Sequence, residues 1–224
     1  MSPELKLLSI CMAMISLSIS KPISACPEGM VNIEGRFCID KFEAPNQRGA
    51  LPLVMYSMDE AEVWCQHRGK RLCFEDEWTR ACVGKRRLAW SYGSKHKPGM
   101  CNDGKAWRQY VPKLLRKWEK QSSDPHRYDF PSQSEKNNSS SFRHVNRLYQ
   151  ADPSGHNMGC VTEEGVFDLL GNVEEWTRRR WSSRSSFSGN LKGRFWAEER
   201  SCVQSVKNHG NLFRFYETGF RCCI

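Results

Sequence analysis

Apolar positions along the chain recur in two rhythms. Val31, Ile33, Phe37 and Ile39 alternate with other positions on either side of Glu34–Gly35, which predicts two short strands joined by a tight turn. From Ser57 the period lengthens, and Ala61, Trp64 and Cys65 fall on one helical face. Ser57 and Glu60 form a capping box: the Ser oxygen can accept from the third helical amide while Glu60 reaches back to the cap amide. A helix is therefore predicted from Met58 to about Arg68, stopped at Gly69. A second runs from Glu75 to Val83 and ends at Gly84, with Trp78 and Cys82 four apart on one side.

Further along, Trp107, Tyr110-Val111, Leu114-Leu115 and Trp118 repeat at helical intervals, with Lys113, Arg116, Lys117 and Lys120 on other faces. Proline is tolerated only in a first turn, so this helix should begin near Pro112. The polar, Ser- and Pro-containing run that follows reads as a loop, and residues 104–150 as an insertion across the surface. After Gly165 the apolar groups are short and scattered, until Thr218–Ile224 alternates like a terminal strand. A few helices among many short strands make an α+β fold with much irregular structure.

The 224 residues suit one domain of generous size, and a mean hydropathy of −0.66 suits a polar surface around a modest core. The net charge of +9 admits anionic partners without identifying any. Residues 1–25 hold an apolar run from Leu7 to Ile19, a Pro22 breaker and the small pair Ser24-Ala25, the pattern of a cleaved secretory signal. Ile23-Ser-Ala-Cys26 also fits a bacterial lipobox, which would place a lipid on Cys26. Lys21 and Pro22 interrupt the apolar run and speak against it.

Of 11 cysteines, ten lie beyond the signal, an even number in a chain bound for export. That arithmetic predicts a disulfide framework in a periplasmic or cell-surface protein, with long-loop crosslinks contributing about 2–4 kcal/mol each.

Several blocks together resemble the sulfatase-modifying-factor family, which includes the formylglycine-generating enzymes and has a variant of the C-type-lectin fold. They are Cys38–Glu43, Gly69–Trp78 with Ala81-Cys82, Trp90–Gly93, Cys101-Asn102, Gly165–Trp176 (GVFDLLGNVEEW) and Gly219–Cys222. The resemblance covers most of a single domain at residues 26–224 outside the insertion. It implies that Cys65 pairs with Cys222, and Cys82 with Cys202. Proximity alone suggests Cys26 with Cys38 across the hairpin, Cys101 with Cys160 around the insertion, and Cys73 with Cys223, and the sequence leaves the pairing of these six open.

The resemblance also implies chemistry, residue by residue. Formylglycine generation uses two thiolates five positions apart to hold copper, and the matching positions here are Lys192 and Ala197. No cysteine occurs between Val161 and Ser201, so copper-thiolate oxidation is not expected. Other branches of the family use non-haem iron. The histidines at 67, 96, 126, 144, 156 and 209 form no His-x-His or His-x3-His pair, and the sequence leaves iron undecided.

Asp168, Gly171, Val173 and Glu175 coincide with a structural calcium site of the formylglycine-generating members, and Asn102 with a position of a second. A Gly-containing turn beside carboxylates does suit a hard cation that seeks six to eight oxygens. The competing reading pairs Glu175 with an arginine such as Arg221. Ligands in this fold are expected in a groove near the C-terminal third, here Trp181, Phe195, Trp196, Asn208, Asn211 and Arg214.

Two basic patches stand out: Arg178–Arg180 with Trp181 and Arg184, and Trp107, Lys113, Arg116, Lys117 and Trp118. They could take an anionic polymer, although nucleic acid is not an expected partner of an exported protein, and a membrane is expected only through a lipid at Cys26. The function these readings favour is an exported binding or accessory module for a protein, peptide or glycan. The alternative is a periplasmic metal-dependent oxidoreductase maturing a peptide or small metabolite, as the pyoverdine-maturation relatives do.

Overall fold

The computed structural model describes residues 25–121, 139–180, 188–197 and 200–224. The expected signal segment before Ala25, and with it the larger part of the lipobox, lies outside them, as do Trp181 and Arg184.

The N-terminal alternation forms the expected hairpin. Strands β1 (Met30–Ile33) and β2 (Phe37–Asp40) pair antiparallel, with Ile33 opposite Phe37 and the chain reversing through left-handed Glu34 and Gly35. Helix α1 (Met58–Gln66) carries both halves of its capping box: Glu60 N donates to Ser57 Oγ, and Ser57 N to Glu60 Oε2. Strand β3 (Arg71–Leu72) leads into helix α2 (Glu75–Val83), which buries Trp78, Ala81 and Cys82.

The insertion behaves differently from its sequence reading. Helix α3 (Pro112–Gln121) begins at the proline as expected, but a further helix that the sequence pattern did not reveal, α4 (Ser140–Leu148), follows in the last part of the insertion. Ser139 caps it by accepting from Phe142 N, and Phe142, Val145 and Leu148 form its inner stripe. Those side chains pack with Leu115 and Trp118 of α3 against Val54, Met55, Val173, Phe195, Trp196 and Tyr216. The described helices of the insertion thus share a core with the rest of the domain instead of crossing its surface.

The remaining strands are β4 (Glu174–Arg178), β5 (Gly189–Lys192), β6 (Ser205–Val206), β7 (Thr218–Phe220) and β8 (Cys222–Cys223). They complete two four-stranded sheets, ordered β1-β2-β8-β3 and β6-β5-β4-β7, the last pair parallel. The single terminal strand expected from alternation is therefore two. The chain leaves one sheet at Phe220 and enters the other at Cys222, so Arg221 is the crossing residue.

Five disulfides staple this arrangement: Cys26–Cys38, Cys65–Cys222, Cys73–Cys223, Cys82–Cys202 and Cys101–Cys160. The pairs are those the sequence reading proposed. They also correct one expectation. The sulfur of Cys26 is bonded to Cys38, so the thioether that a lipobox would build on the same atom does not fit. So many crosslinks indicate an oxidising environment.

Candidate functional site

The segment Gly165–Trp176 folds into a turn that drops polar side chains between the sheets. Asp168, Gly171 and Asn172 all take left-handed backbone angles. Only glycine fits at Gly171, where a Cβ would lie 2.5 Å from the carbonyl oxygen of Asn102. Leu169, Leu170 and Trp176 anchor the turn in the core, each no more than 1% exposed.

Arg221 is the centre of the buried network. Its guanidinium is 0% exposed and donates to both oxygens of Glu175 at 2.7–3.0 Å, to the Asp40 carbonyl at 3.2 Å and to the Phe167 carbonyl at 2.9 Å. Trp78 Nε1 donates a further bond to Glu175 Oε2 at 2.7 Å. Below it, Asn172 Nδ2 donates to both oxygens of Glu43, and its Oδ1 accepts from Asn102 Nδ2 and Asp152 N. Asp168 accepts from Gly155 N at 2.6 Å.

Burial dominates the electrostatics of these acids. It pushes Asp168 up to about 6, against the opposing pull of the Gly155 amide and Arg221. It raises Glu43 well above the usual carboxylate range, helped by the charges of Asp168 and Glu175.

Calcium at this turn was expected from Asp168, Gly171, Val173 and Glu175, and the arrangement does not fit it. Both oxygens of Glu175 are saturated by Arg221 and Trp78, and one oxygen of Asp168 by a backbone amide. The guanidinium supplies at this place the positive charge and oxygen contacts that an ion would. At Asn102, the neighbouring oxygens of Gln150 and Asp152 both accept from the Lys105 ammonium at 2.7 Å. Among the described residues no three of His, Cys, Asp and Glu are grouped so as to hold a metal.

On the same sheet, Lys192 lies opposite Glu175 in the β4–β5 register. Lys192 is 1% exposed, its ammonium sits 5.3 Å from the Trp78 ring centre, and it makes no hydrogen bond or ion pair among the described residues. Burial lowers its pKa to about 8. Ala197 packs against the aromatic cluster around Trp196.

The described residues proposed for the C-terminal groove do not line one together. Phe195 and Trp196 are core, 4% and 1% exposed, and Trp196 meets Tyr149 edge-on and stacks on Tyr216. Helices α3 and α4 cover that cluster. Asn211 is a structural tie whose Oδ1 accepts from Ser188 N and Gly189 N, and Arg214 pairs with Glu60. Asn208 is exposed and stands apart from these buried neighbours.

A concavity of about 930 Å³ lies elsewhere, between α2, the β1–β2 turn and Arg179-Arg180. Its walls include Arg36, Arg80, Arg87, Glu75 and Thr79. Of its cations, Arg80 pairs with Glu34, and Arg180 with Asp76 and Glu77. The basic run 178–180 is consequently committed, since Arg178 also reaches Glu62 at 3.7 Å and Arg179 donates to the Lys207 carbonyl. Trp118, assigned to the second patch, is 2% exposed and belongs to the core.

A profile described as the sulfatase-modifying factor enzyme 1-like domain covers residues 30–224. The chain belongs to the sulfatase-modifying-factor family.

Its curated relatives include the "Inactive C-alpha-formylglycine-generating enzyme 2" of Bos taurus, 25% identical over 179 residues, and that of Mus musculus, 27% identical over 180 residues. These alignments take in 76% and 77% of this chain but 49% and 48% of the relatives, so the chain spans about half the length of the curated proteins it matches. Among solved structures, CarF superposes with a TM-score of 0.54 at 12% identity, covering 84% of this chain and 85% of CarF. PvdO from Pseudomonas aeruginosa superposes at 0.53 and 12%, covering 86% and 82%. At that identity the likeness concerns the fold alone, a C-type-lectin-like α+β arrangement. In this sulfatase-modifying-factor domain Lys192 and Ala197, the positions that the sequence resemblance sets against the copper thiols, are a buried ammonium and a methyl group.

Proposed function

We propose that the chain is an exported, periplasmic or cell-surface accessory domain that binds a protein, peptide or glycan and does not carry out copper-thiolate oxidation. One observation carries the reading: all ten described cysteines are in disulfides, and no cysteine at all occurs in the segment that would hold copper. A soft cuprous ion needs thiolates, and the ammonium of Lys192 at one of the two positions would repel it. The concavity beside α2 is the binding site in this reading, because ligand sites are concave and the C-terminal aromatics are packed away.

The test is to incubate the purified mature protein with Cu(I), oxygen and a cysteine peptide and to follow the peptide by mass spectrometry. The expected result is an unchanged thiol. Conversion to an aldehyde would overturn the reading, and stoichiometric iron in protein purified from its own host would favour the oxidoreductase alternative instead.

A further inference from the structure

We propose that the outer face of the α3–α4 pair is a docking surface for an anionic phospholipid bilayer. The charge of this chain is unevenly spread. Residues 105–121 and 139–151 together hold eight lysines and arginines and one carboxylate, Glu119, in a chain whose whole excess is +9. On α3, Lys113, Arg116, Lys117 and Lys120 follow the i, i+3, i+4, i+7 spacing of a single helical face, and all four are exposed. The stripe is about 10 Å long at 1.5 Å per residue.

Among the described residues none of these four makes a hydrogen bond or ion pair. That separates them from the arginines at 178–180, whose charges or donors are already engaged. Helix α4 packs beside α3 and turns Arg143, Asn146 and Arg147 outward while burying Phe142, Val145 and Leu148. Because both inner stripes are locked into the core, the cations stand on a fixed platform and cost little ordering when they meet a charged surface.

The composition favours a bilayer over a sulfated or phosphorylated polymer. Three of the four stripe residues are lysines, hydrated point charges on flexible stems, whereas bidentate recognition of discrete oxyanions selects arginine. Trp107, 51% exposed, lies in the segment leading to α3, which Arg108 ties to α4 through the Arg147 carbonyl. An exposed indole beside lysines is the pairing found at the headgroup level of membranes. Contact of this kind is electrostatic and reversible and weakens with salt.

The experiment is co-sedimentation of the mature protein with vesicles of phosphatidylglycerol in phosphatidylcholine and with phosphatidylcholine alone, at low and high salt. Binding is expected only to the anionic vesicles, lost at high salt. Reversing the stripe (K113E, R116E, K117E and K120E together) should weaken it at least about tenfold, whereas K95E with K97E should not. Should the fourfold variant not fold, the wild-type salt dependence and a second variant, Trp107→Phe, carry the test. Brominated lipid should quench the wild-type fluorescence, and Trp107→Phe should lose that quenching. Equal binding to neutral vesicles, or no effect of the stripe variant in a folded protein, overturns the proposal. So does binding to dextran sulfate with none to vesicles, which would assign the face to a polyanionic polymer.

Discussion

Replacing Lys192 by methionine should make the domain more stable at neutral pH. The ammonium is 1% exposed and lacks an acceptor among the described residues, and burial is the main cause of its fall from 10.5 to about 8, with Lys207 and Arg200 adding to it and Glu75 opposing. A fall of that size corresponds to a cost of about 3 kcal/mol for keeping the proton in the folded state. The cation–π contact with Trp78, worth about 0.5–2 kcal/mol, is lost in the variant. A methionine of similar length keeps the packing, so the net gain is about 1–3 kcal/mol.

The pH dependence has a definite sign. An unfolded lysine holds its proton to about pH 10.4, whereas folded Lys192 releases it near 8. Between these values the unfolded chain binds more protons, so wild-type stability rises with pH across that window, and the variant lacks the rise. Urea unfolding followed by tryptophan fluorescence, with disulfides intact and at pH values from about 7 to 10, measures both. A variant less stable than wild type at neutral pH, together with a flat wild-type curve, would show that the ammonium has a partner and refute the reasoning.

Other outcomes follow from the same structure. Arg221→Met should cost about 3–5 kcal/mol by leaving Glu175 buried without its cation, and adding Glu175→Gln should restore part of it. Full additivity in that double-mutant cycle would mean the two do not interact. Excess calcium or a chelator should leave the urea midpoint unchanged, since Arg221 and Trp78 saturate Glu175, and a calcium-dependent rise would show that Glu175 can leave them. Burial, with the Glu174 charge, raises Glu217 to about 8, so the folded state holds that proton longer than the unfolded one. Stability should then fall as pH climbs from about 4.5 to 8, and Glu217→Gln should flatten that slope. An unchanged slope would assign it to other carboxylates.

Local chemistry was readable along the chain, and long-range partnership was not. The capping box at Ser57 and Glu60 and the strand-turn-strand at Met30–Asp40 are complete within a few residues, and both formed as read. Helix α4 was hidden because its serine- and asparagine-rich approach suits a loop, and it is its packing on α3 and the C-terminal aromatics that holds it. Phe195 and Trp196 have the composition of groove walls, and nothing local says that two helices from the insertion will cover them. The basic run at 178–180 looked free because the acids that engage Arg180 lie more than 100 residues earlier. At the Gly165–Trp176 turn the sequence offers carboxylate and backbone oxygens that suit a positive charge. Whether that cation is an ion or the guanidinium of Arg221 depends on a strand that arrives 46 residues after Glu175.

The adjacent cysteines of β8 bear on how such a domain can be made. Cys222 reaches back 157 residues to Cys65, and Cys223 reaches back 150 to Cys73, on opposite sides of one short strand. Neither bond can close until that strand has emerged into the oxidising compartment, and by then α1, α2 and the insertion helices have already been delivered there. The two sheets are joined through Arg221, the residue just before these cysteines, so the domain is sealed only after the whole of it has been made. Oxidation at β8 is thus the closing act of assembly, and delaying it would leave a chain still awaiting the two bonds that clasp its ends together.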